Sequence, residues 1–214
     1  KIVDFSEYGI PQKRQRYILE KTKKDNAENF FDLLVQNKVT FFKSKNFEKD
    51  TVSLSDAISD LLQSHGTKES PDTKNFRAGI YAKATTSYQK LMRKDKNLTK
   101  KVASSHRFAN HKKETIEKFQ YILEFGRANK NISDEIKAKY NIKKRTVVPL
   151  CSNSPTPTLT TLPDDYIHYC EPRILTVREY ARIQSFPDSY EFKGGYTTGG
   201  DRRKSDVPRY TQIG

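Results

Sequence analysis

Arginines are the side chains of this sequence whose spacing could do chemistry. In QKRQR (12–16), Arg14 and Arg16 stand two apart just after a Gly-Ile-Pro turn, and a strand puts both guanidinium groups on one face. Taken alone, that pattern also fits a strand edge facing water. A second set, Arg178, Glu179 and Arg182, falls within RILTVREYARIQSFPDSYEFKG (173–194). There Thr176 occupies an N-cap position, Glu179 follows three residues on as a capping-box partner, and Phe186-Pro187-Asp188 should stop the helix sharply. Capping explains Thr176 and Glu179 but leaves Arg178 and Arg182 unexplained on so short a helix. Cys151 and Cys170, with no CxxC spacing and only four histidines in the chain, argue against a zinc site and a disulfide scaffold. A reducing cytoplasm suits them.

The surface that must carry these residues is strongly basic. The 214 residues include 40 Lys and Arg against 26 Asp and Glu, a formal charge of +14, with a pI near 9.6. A polyanionic partner is the natural inference, and a merely soluble basic protein is the alternative. The length allows one large domain or two small ones, although 34% hydrophobic residues is low for a large core. No apolar run approaches the roughly 18 residues that a spanning helix needs, so no membrane is expected, and there is no signal peptide. The opening KIVDFSEYGIPQ reads as an interior strand and turn, so the gene product is expected to begin upstream.

Several elements can be read from periodicity. Residues 1–20 suggest a strand, a turn and a strand. After a polar linker (20–26), Phe30, Phe31, Leu34 and Val35 predict a helix over 27–37, followed by a short strand over 39–42. Leu54, Ile58, Leu61 and Leu62 share one face, with Ser53 placed to cap and Asp56 in the first turn, so a helix is expected within 51–63. Residues 64–78 read as an exposed loop. In 79–102, Tyr81 and Tyr88 lie among Lys83, Lys90, Arg93, Lys94, Lys96, Lys100 and Lys101. This is either a nucleic-acid surface or a solvated helix whose tyrosines pack inward. A helix over 112–125 should stop at Gly126, and Ser133 should cap a shorter one reaching Tyr140. The proline-rich final third suggests loops and short strands. The glycine-rich, basic stretch 194–204 is either a phosphate contact or a plain connection.

The arginine motifs have a family counterpart. Residues 173–194 resemble the ninth motif of the DNA cytosine-C5 methyltransferases, YGIPQKRQR (8–16) resembles the eighth, and YTQIG (210–214) resembles the opening of the tenth. Thr158-Leu159 is similar to the Thr-Leu signature that closes the family's target-recognition region. The resemblance implies an α/β fold: the end of an S-adenosylmethionine-dependent methyltransferase sheet plus a smaller mixed α/β target-recognition domain. It divides the chain into catalytic strands (1–25), the recognition domain (26–172) and a return to the catalytic domain (173–214). The implied reaction moves a methyl group from S-adenosylmethionine to C5 of a flipped cytosine in a specific duplex sequence, in bacterial restriction-modification. In that chemistry a Cys thiolate adds to C6, a Glu bonds N3, and a cation steadies the charge gathering on the ring.

Carried over residue by residue, the resemblance makes Arg16 that cation and Arg14 the arginine that orders the site and its phosphate contacts. Gln12 is grouped with the DNA-binding residues, although beside Pro11 it suits shaping the turn better than touching substrate, Thr158 contacts phosphate, and Lys90, Arg93, Lys100 and Lys101 track the backbone of double-stranded DNA. Arg178, Glu179 and Arg182 brace one domain against the other. The Pro-Cys nucleophile has no match, since Cys151 follows Leu150 and Cys170 follows Tyr169, and both read as small apolar residues. The cofactor's glycine loop and the Glu-Asn-Val segment are expected before Lys1. The partners implied are therefore DNA and the remaining N-terminal catalytic portion, in the same chain or a second one. The S-adenosylmethionine site lies mostly outside these residues, no metal is involved, and the 214 residues alone are expected to be inactive. The alternative is a non-catalytic, sequence-specific DNA-binding subunit or remnant.

Overall fold

Gly9 takes a left-handed φ of 81°, and a Cβ there would lie 2.9 Å from the Phe47 ring. The computed structural model describes residues 1–21, 27–47, 49–94, 98–99, 101–197 and 207–214. Ahead of Gly9, Asp4 caps a 3-10 turn (Phe5–Tyr8) by accepting from the Ser6 N–H at 3.0 Å. The turn folds β1 (Ile2–Asp4) back onto β2 (Gln15–Tyr17), antiparallel, with Val3 opposite Arg16. Helix α1 (Ala27–Ser44) then runs straight through the stretch expected to be a strand. Phe42 continues the helical period from Phe31 and packs on Phe47 with ring centroids 5.6 Å apart. Among the described residues no strand pairs with 39–42, so the helical hydrogen bonds win.

Helix α2 (Leu54–Ile58) is capped by Ser53 as expected, and Asp56 reaches back to the Ser53 N–H to complete a capping box. It tightens into a 3-10 turn (Ser59–Leu61) that carries Asp60 inside. Residues 64–78 are not a plain loop. Strand β3 (Thr67–Glu69) pairs with β4 (Arg77–Ile80), and β4 pairs with β5 (Val102–Arg107). The hairpin was illegible because β3 is exposed on both faces, while β4 turns only the small Ala78 and Gly79 inward. Strand β5 bulges at Ser105, which takes a φ of 57°, and the register with β4 shifts there. Between β4 and β5, α3 (Ser87–Arg93) opens on a Thr86–Gln89 capping box.

Helix α4 (Lys113–Phe125) ends at Gly126, whose N–H reaches the Ile122 carbonyl. Helix α5 (Asp134–Lys139) follows Ser133, although the serine side chain makes no capping bond. In the final third, β6 (Val148–Pro149) and β7 (Tyr166–Ile167) pair in parallel. Helix α6 (Val177–Ile183) has the Thr176–Glu179 box. It ends before Phe186-Pro187-Asp188, because Ser185 already takes a left-handed φ of 62°. The chain closes with α7 (Arg209–Ile213).

The result is a mixed α/β arrangement of small sheets, with α6 at its centre. All seven α6 residues are buried. Leu175, Val177, Tyr180 and Ile183 join Leu54 and Ile58 of α2 and Tyr210 and Ile213 of α7 in the main core. This core runs across residue 172, where the recognition domain was expected to end. A second cluster joins Phe119 and Ile122 of α4 to Ile136 of α5 and to Ile167.

Gly79 allows the closest approach in the sheet, since a Cβ there would lie 2.4 Å from His106 Nε2. Gly79→Ala is expected to lower the unfolding free energy by about 1–3 kcal/mol through overpacking. Urea denaturation checks this, and an unchanged midpoint would show that His106 can retreat.

Candidate nucleic-acid interface and its buried support

Three segments far apart in sequence meet beside β2. The Pro11 carbonyl accepts from the Thr156 N–H at 3.0 Å, and the Lys13 N–H donates to the Thr156 carbonyl at 2.8 Å. Two residues on, the Thr158 hydroxyl donates to the Lys13 carbonyl at 2.7 Å, while Leu159 anchors in the main core. Arg14 Nη1 lies 3.5 Å from Gln184 Oε1, at the end of α6. The turn before β2, the Thr-Leu segment and the α6 terminus thus form one wall.

Arg16 is exposed on this wall and donates to its own neighbour's carbonyl, Gln15, at 2.8 Å. Arg14 is half-buried, and burial together with the Arg16 charge pushes its pKa down. Neither is ion-paired with a described carboxylate. Two close guanidinium groups without a counter-charge make an edge suited to an anion, or to a carbonyl on which negative charge develops.

The remaining expected contacts separate into those that face water and those that do not. Lys90 and Lys101 are exposed and make no ion pair with a described residue. Lys100 lies outside the described residues, as does the 198–204 part of the glycine-rich stretch. Arg93 is corrected, because only 5% of it is exposed. Its guanidinium is ion-paired to buried Asp60 and lies over the Tyr81 ring at 4.6 Å, so it is spent inside the protein. Gln12 is also corrected. It is fully buried, with both side-chain amide atoms unpartnered in this chain, and cannot reach DNA from there. The Thr158 hydroxyl proton is committed to Lys13, so donation to a phosphate would have to break that bond. Tyr81 and Tyr88 pack inward, which is the bland reading of their segment.

Helix α6 supports the wall through charge that never meets water. Arg182 donates from Nε and Nη2 to Asp188 at 2.5 and 2.6 Å. It also reaches Asp60 at 3.2 and 3.3 Å. Burial opposes its charge, yet the bonds and charge of Asp188 raise its pKa. Arg178 is held differently, by the carbonyls of Ser104, Pro187 and Tyr190 at 2.8–3.2 Å. With the Asp188 carboxylate only at 3.9 Å, burial wins and its pKa falls. Glu179 accepts from Arg173 at 2.7 and 2.8 Å and from the Thr176 N–H at 2.7 Å. Against the effect of burial, Arg173 carries its pKa down to about 2.

Two histidines complete this interior. His106 Nε2 faces the Leu61 carbonyl at 2.7 Å and Nδ1 faces the Thr176 hydroxyl at 2.7 Å. A carbonyl only accepts, so Nε2 bears a hydrogen and donates it to Leu61. Burial takes its pKa to about 4. His168 Nδ1 accepts from the Glu171 N–H at 3.2 Å, and burial followed by the Arg173 charge takes its pKa to about 3.

The family model for C-5 cytosine-specific DNA methylases matches residues 1–214. The chain belongs to the C-5 cytosine-specific DNA methylase family. M.DdeI, a Type II methyltransferase of Desulfomicrobium norvegicum, is 29% identical to this DNA methylase over 227 residues, covering 100% of this chain and 49% of that protein. M.AquIB, a Type II methyltransferase of Picosynechococcus, is 32% identical over 112 residues, covering 51% of this chain and 75% of that protein. In fold, an E. coli prophage-encoded candidate DNA modification methyltransferase matches with a TM-score of 0.53 at 20% identity, over 90% of this chain and 50% of that one. The chain therefore spans about half the length of M.DdeI. Among the described residues no helix is long and apolar enough to cross a membrane.

Gln184, Thr156 and Asp60 were missed as members of this wall and its support in the methylase. Gln184 stood inside a quoted motif, but nothing in the sequence points an amide at a distant strand. Asp60 carries no signal beyond being an acid among apolar residues.

Replacing Asp60 by Ala strands Arg93 and Arg182 without their shared carboxylate, and is expected to cost about 3–5 kcal/mol of unfolding free energy. Chemical denaturation reads this, and a loss below about 1 kcal/mol would mean that Asp188 alone satisfies Arg182. The histidines give a pH dependence. Both pKa values are depressed in the folded state, so their contribution is complete above the unfolded value near 6.5 and is lost as pH falls toward about 4 for His106 and about 3 for His168. Unfolding free energy is expected to decline over that window by at most roughly 1.4 kcal/mol per pH unit per histidine. Glu179 extends the loss below pH 4.5 toward about 2. A flat profile between pH 6.5 and 4.5 would show that neither ring is held neutral.

Proposed function

We propose that this chain is the recognition half of a DNA (cytosine-5-)-methyltransferase that moves a methyl group from S-adenosylmethionine to C5 of a flipped cytosine in a specific duplex sequence. The Type II relatives support a place in restriction-modification, in a bacterial cytoplasm. Residues 1–25 contribute the closing strands of the catalytic domain, 26–172 the target-recognition domain, and 173–214 the return to the catalytic domain. The observation that carries this reading is the wall beside β2, where Arg14 and Arg16 stand without counter-charge against the Thr156–Thr158 segment and Gln184.

In this reading Arg16 faces the O2 carbonyl of the flipped base. Its fixed charge steadies the negative charge that gathers on the ring once a nucleophile adds to C6. Arg14, tied to Gln184, holds the strand in place. Exposed Lys90 and Lys101 lie along phosphates. S-adenosylmethionine does not fit the residues present. One cavity of about 200 Å³ presents Lys49 and Lys90 with a single carboxylate, Asp56, and another of about 400 Å³ presents Lys118, Lys143 and Lys144 with only Asp164, so a cationic sulfonium would meet an excess of lysines in both. Cofactor and nucleophile are assigned to the remaining half of the methyltransferase, and the 214 residues alone should not methylate DNA.

A second arrangement is favoured by M.AquIB, three quarters of whose length falls within its match. There this part is a separately encoded DNA-binding chain that works beside a catalytic partner. Sequence upstream of Lys1 separates the two arrangements, through a Pro-Cys dipeptide and a glycine-rich cofactor loop or their absence.

In the complete enzyme, Arg16→Ala is expected to slow the methyl-transfer step by about 10²–10³-fold, the loss that follows removal of one charge-stabilising donor. DNA affinity should change little. Single-turnover methylation and DNA titration measure the two separately, and an equal loss of binding would make Arg16 a phosphate contact instead.

A further inference from the structure

Arg107, the last residue of β5, is half-buried. Its guanidinium carbon lies over two rings, 4.0 Å from each centroid: Phe76, in the turn between β3 and β4, and Tyr196, in the segment after α6. Nε is buried with nothing to donate to, and among the described residues the guanidinium has no hydrogen bond and no ion pair. By contrast Arg93, Arg173, Arg178, Arg182 and Arg209 all spend theirs on carboxylates or carbonyls. Asp72 is near enough to act on Arg107, yet burial prevails and pushes the arginine's pKa down. That carboxylate is already occupied, accepting from Arg209 at 2.6 Å and from the hydroxyls of Tyr196 and Ser70 at 2.9 Å. The ladder decides which way Arg107 faces. It stands opposite Ala78, and Ala78 stands opposite exposed Lys68, so the three share one face of the sheet. His106 turns the other way, into the core against Leu61 and Thr176. Glu69, paired with Arg77, falls on the face away from Lys68. The outer face thus offers two cations, one of them a planar fork clasped by rings and left without a partner.

We infer that Arg107 reads a guanine of the target duplex, its two terminal nitrogens donating to O6 and N7 in the major groove. This rests on reading the chain as part of a cytosine-C5 methyltransferase. Every duplex such an enzyme acts on holds a guanine, since the target cytosine is paired with one. The stacking favours a base edge over a phosphate. Two rings stop the guanidinium plane from turning, and a fixed plane suits two acceptors set side by side on a flat edge. A phosphate accepts from many directions and carries no sequence, so exposed lysines serve it without such support. Lys68, on the same face, supplies charge of that kind. With Nε shut away, the two terminal nitrogens are the part of the fork left to meet a ligand.

The test uses the complete enzyme, or the two-chain complex. Bisulfite sequencing of DNA from a host expressing it, and lacking cytosine-C5 methylation of its own, first gives the consensus; no methylation there would sink the methyltransferase reading and this inference with it. Synthetic duplexes then carry 7-deazaguanine, which lacks the N7 acceptor, at each guanine of the consensus in turn. At one position the substitution is expected to slow single-turnover methylation at limiting DNA by about tenfold. Arg107→Met keeps a stem between the rings and loses the donors, so it should be slow on the normal duplex and indifferent to 7-deazaguanine at that position. Phe76→Leu, which leaves Arg107 in place but frees its plane, should shrink the penalty there, and reads the same point if Arg107→Met does not fold. With methylation established, three results overturn the inference alone: no guanine sensitive in the wild type, a sensitive guanine whose penalty is unchanged in the variants, or an equal slowing of Arg107→Met on every duplex with the consensus intact, which would make Arg107 a phosphate contact.

Discussion

The fold hangs on a buried exchange of charge around α6. Asp60, at the end of one short helix, holds Arg93 of α3 and Arg182 of α6 together, and Asp188 closes the set from the turn after α6. Interior ion pairs are costly to desolvate and add little net stability. What they impose is geometry, because each guanidinium finds its carboxylates in one mutual placement only. Glu179 repeats the device with Arg173 and the Thr176 cap. A helix with apolar residues in all these positions could slide or rotate by a turn, whereas α6 cannot without stranding a charge.

That fixed helix is what gives the candidate wall its shape. Its C-cap residue, Gln184, meets Arg14, and the core it fills also anchors Leu159, next to the Thr158 that bonds Lys13. A second clamp secures the chain's end. Arg209 donates to Asp72 at 2.6 Å and to the Tyr196 hydroxyl at 2.8 Å, and the Tyr210 hydroxyl donates to the Leu175 carbonyl just ahead of α6. The other three stretches that resemble family motifs are thus packed against α6 or bonded to its ends. Only β2 ends at water, with Arg16 on it.

The sequence revealed those parts whose cause is local. The Ser53 cap, the Thr176 capping box, the strand pair around Gly9 and the stop at Gly126 depend on residues a few positions apart, and each is found where the sequence places it. Parts whose cause is distant were misread. Strand β3 is polar because it is an edge, and only its partner β4 makes it a strand. Residues 39–42 carry strand-prone Val39, Phe41 and Phe42 yet remain helical for want of a ladder. Arg93 has the composition of a phosphate contact, but its fate was decided by Asp60, thirty-three residues away. Gln12 was placed near DNA by its motif and lies fully buried. In each case the side chain's identity was legible and its partner was not.

Burial of so many arginines does not weaken the argument from net charge. Arg93, Arg173, Arg178, Arg182 and Arg209 are buried, but so are Asp60, Asp165, Glu179 and Asp188. The two sets nearly cancel, so burial among the described residues takes little from the formal +14. Affinity for a polyanion can therefore come from lysines that no single position defines, with the steep salt dependence that counterion release brings. Chemistry requires the opposite, one cation at one place. In the proposed reading that cation is Arg16, on a strand tied to the end of α6 through Arg14 and Gln184, and the self-neutralised interior explains how a chain with 34% hydrophobic residues can fill its core and still leave α1 exposed.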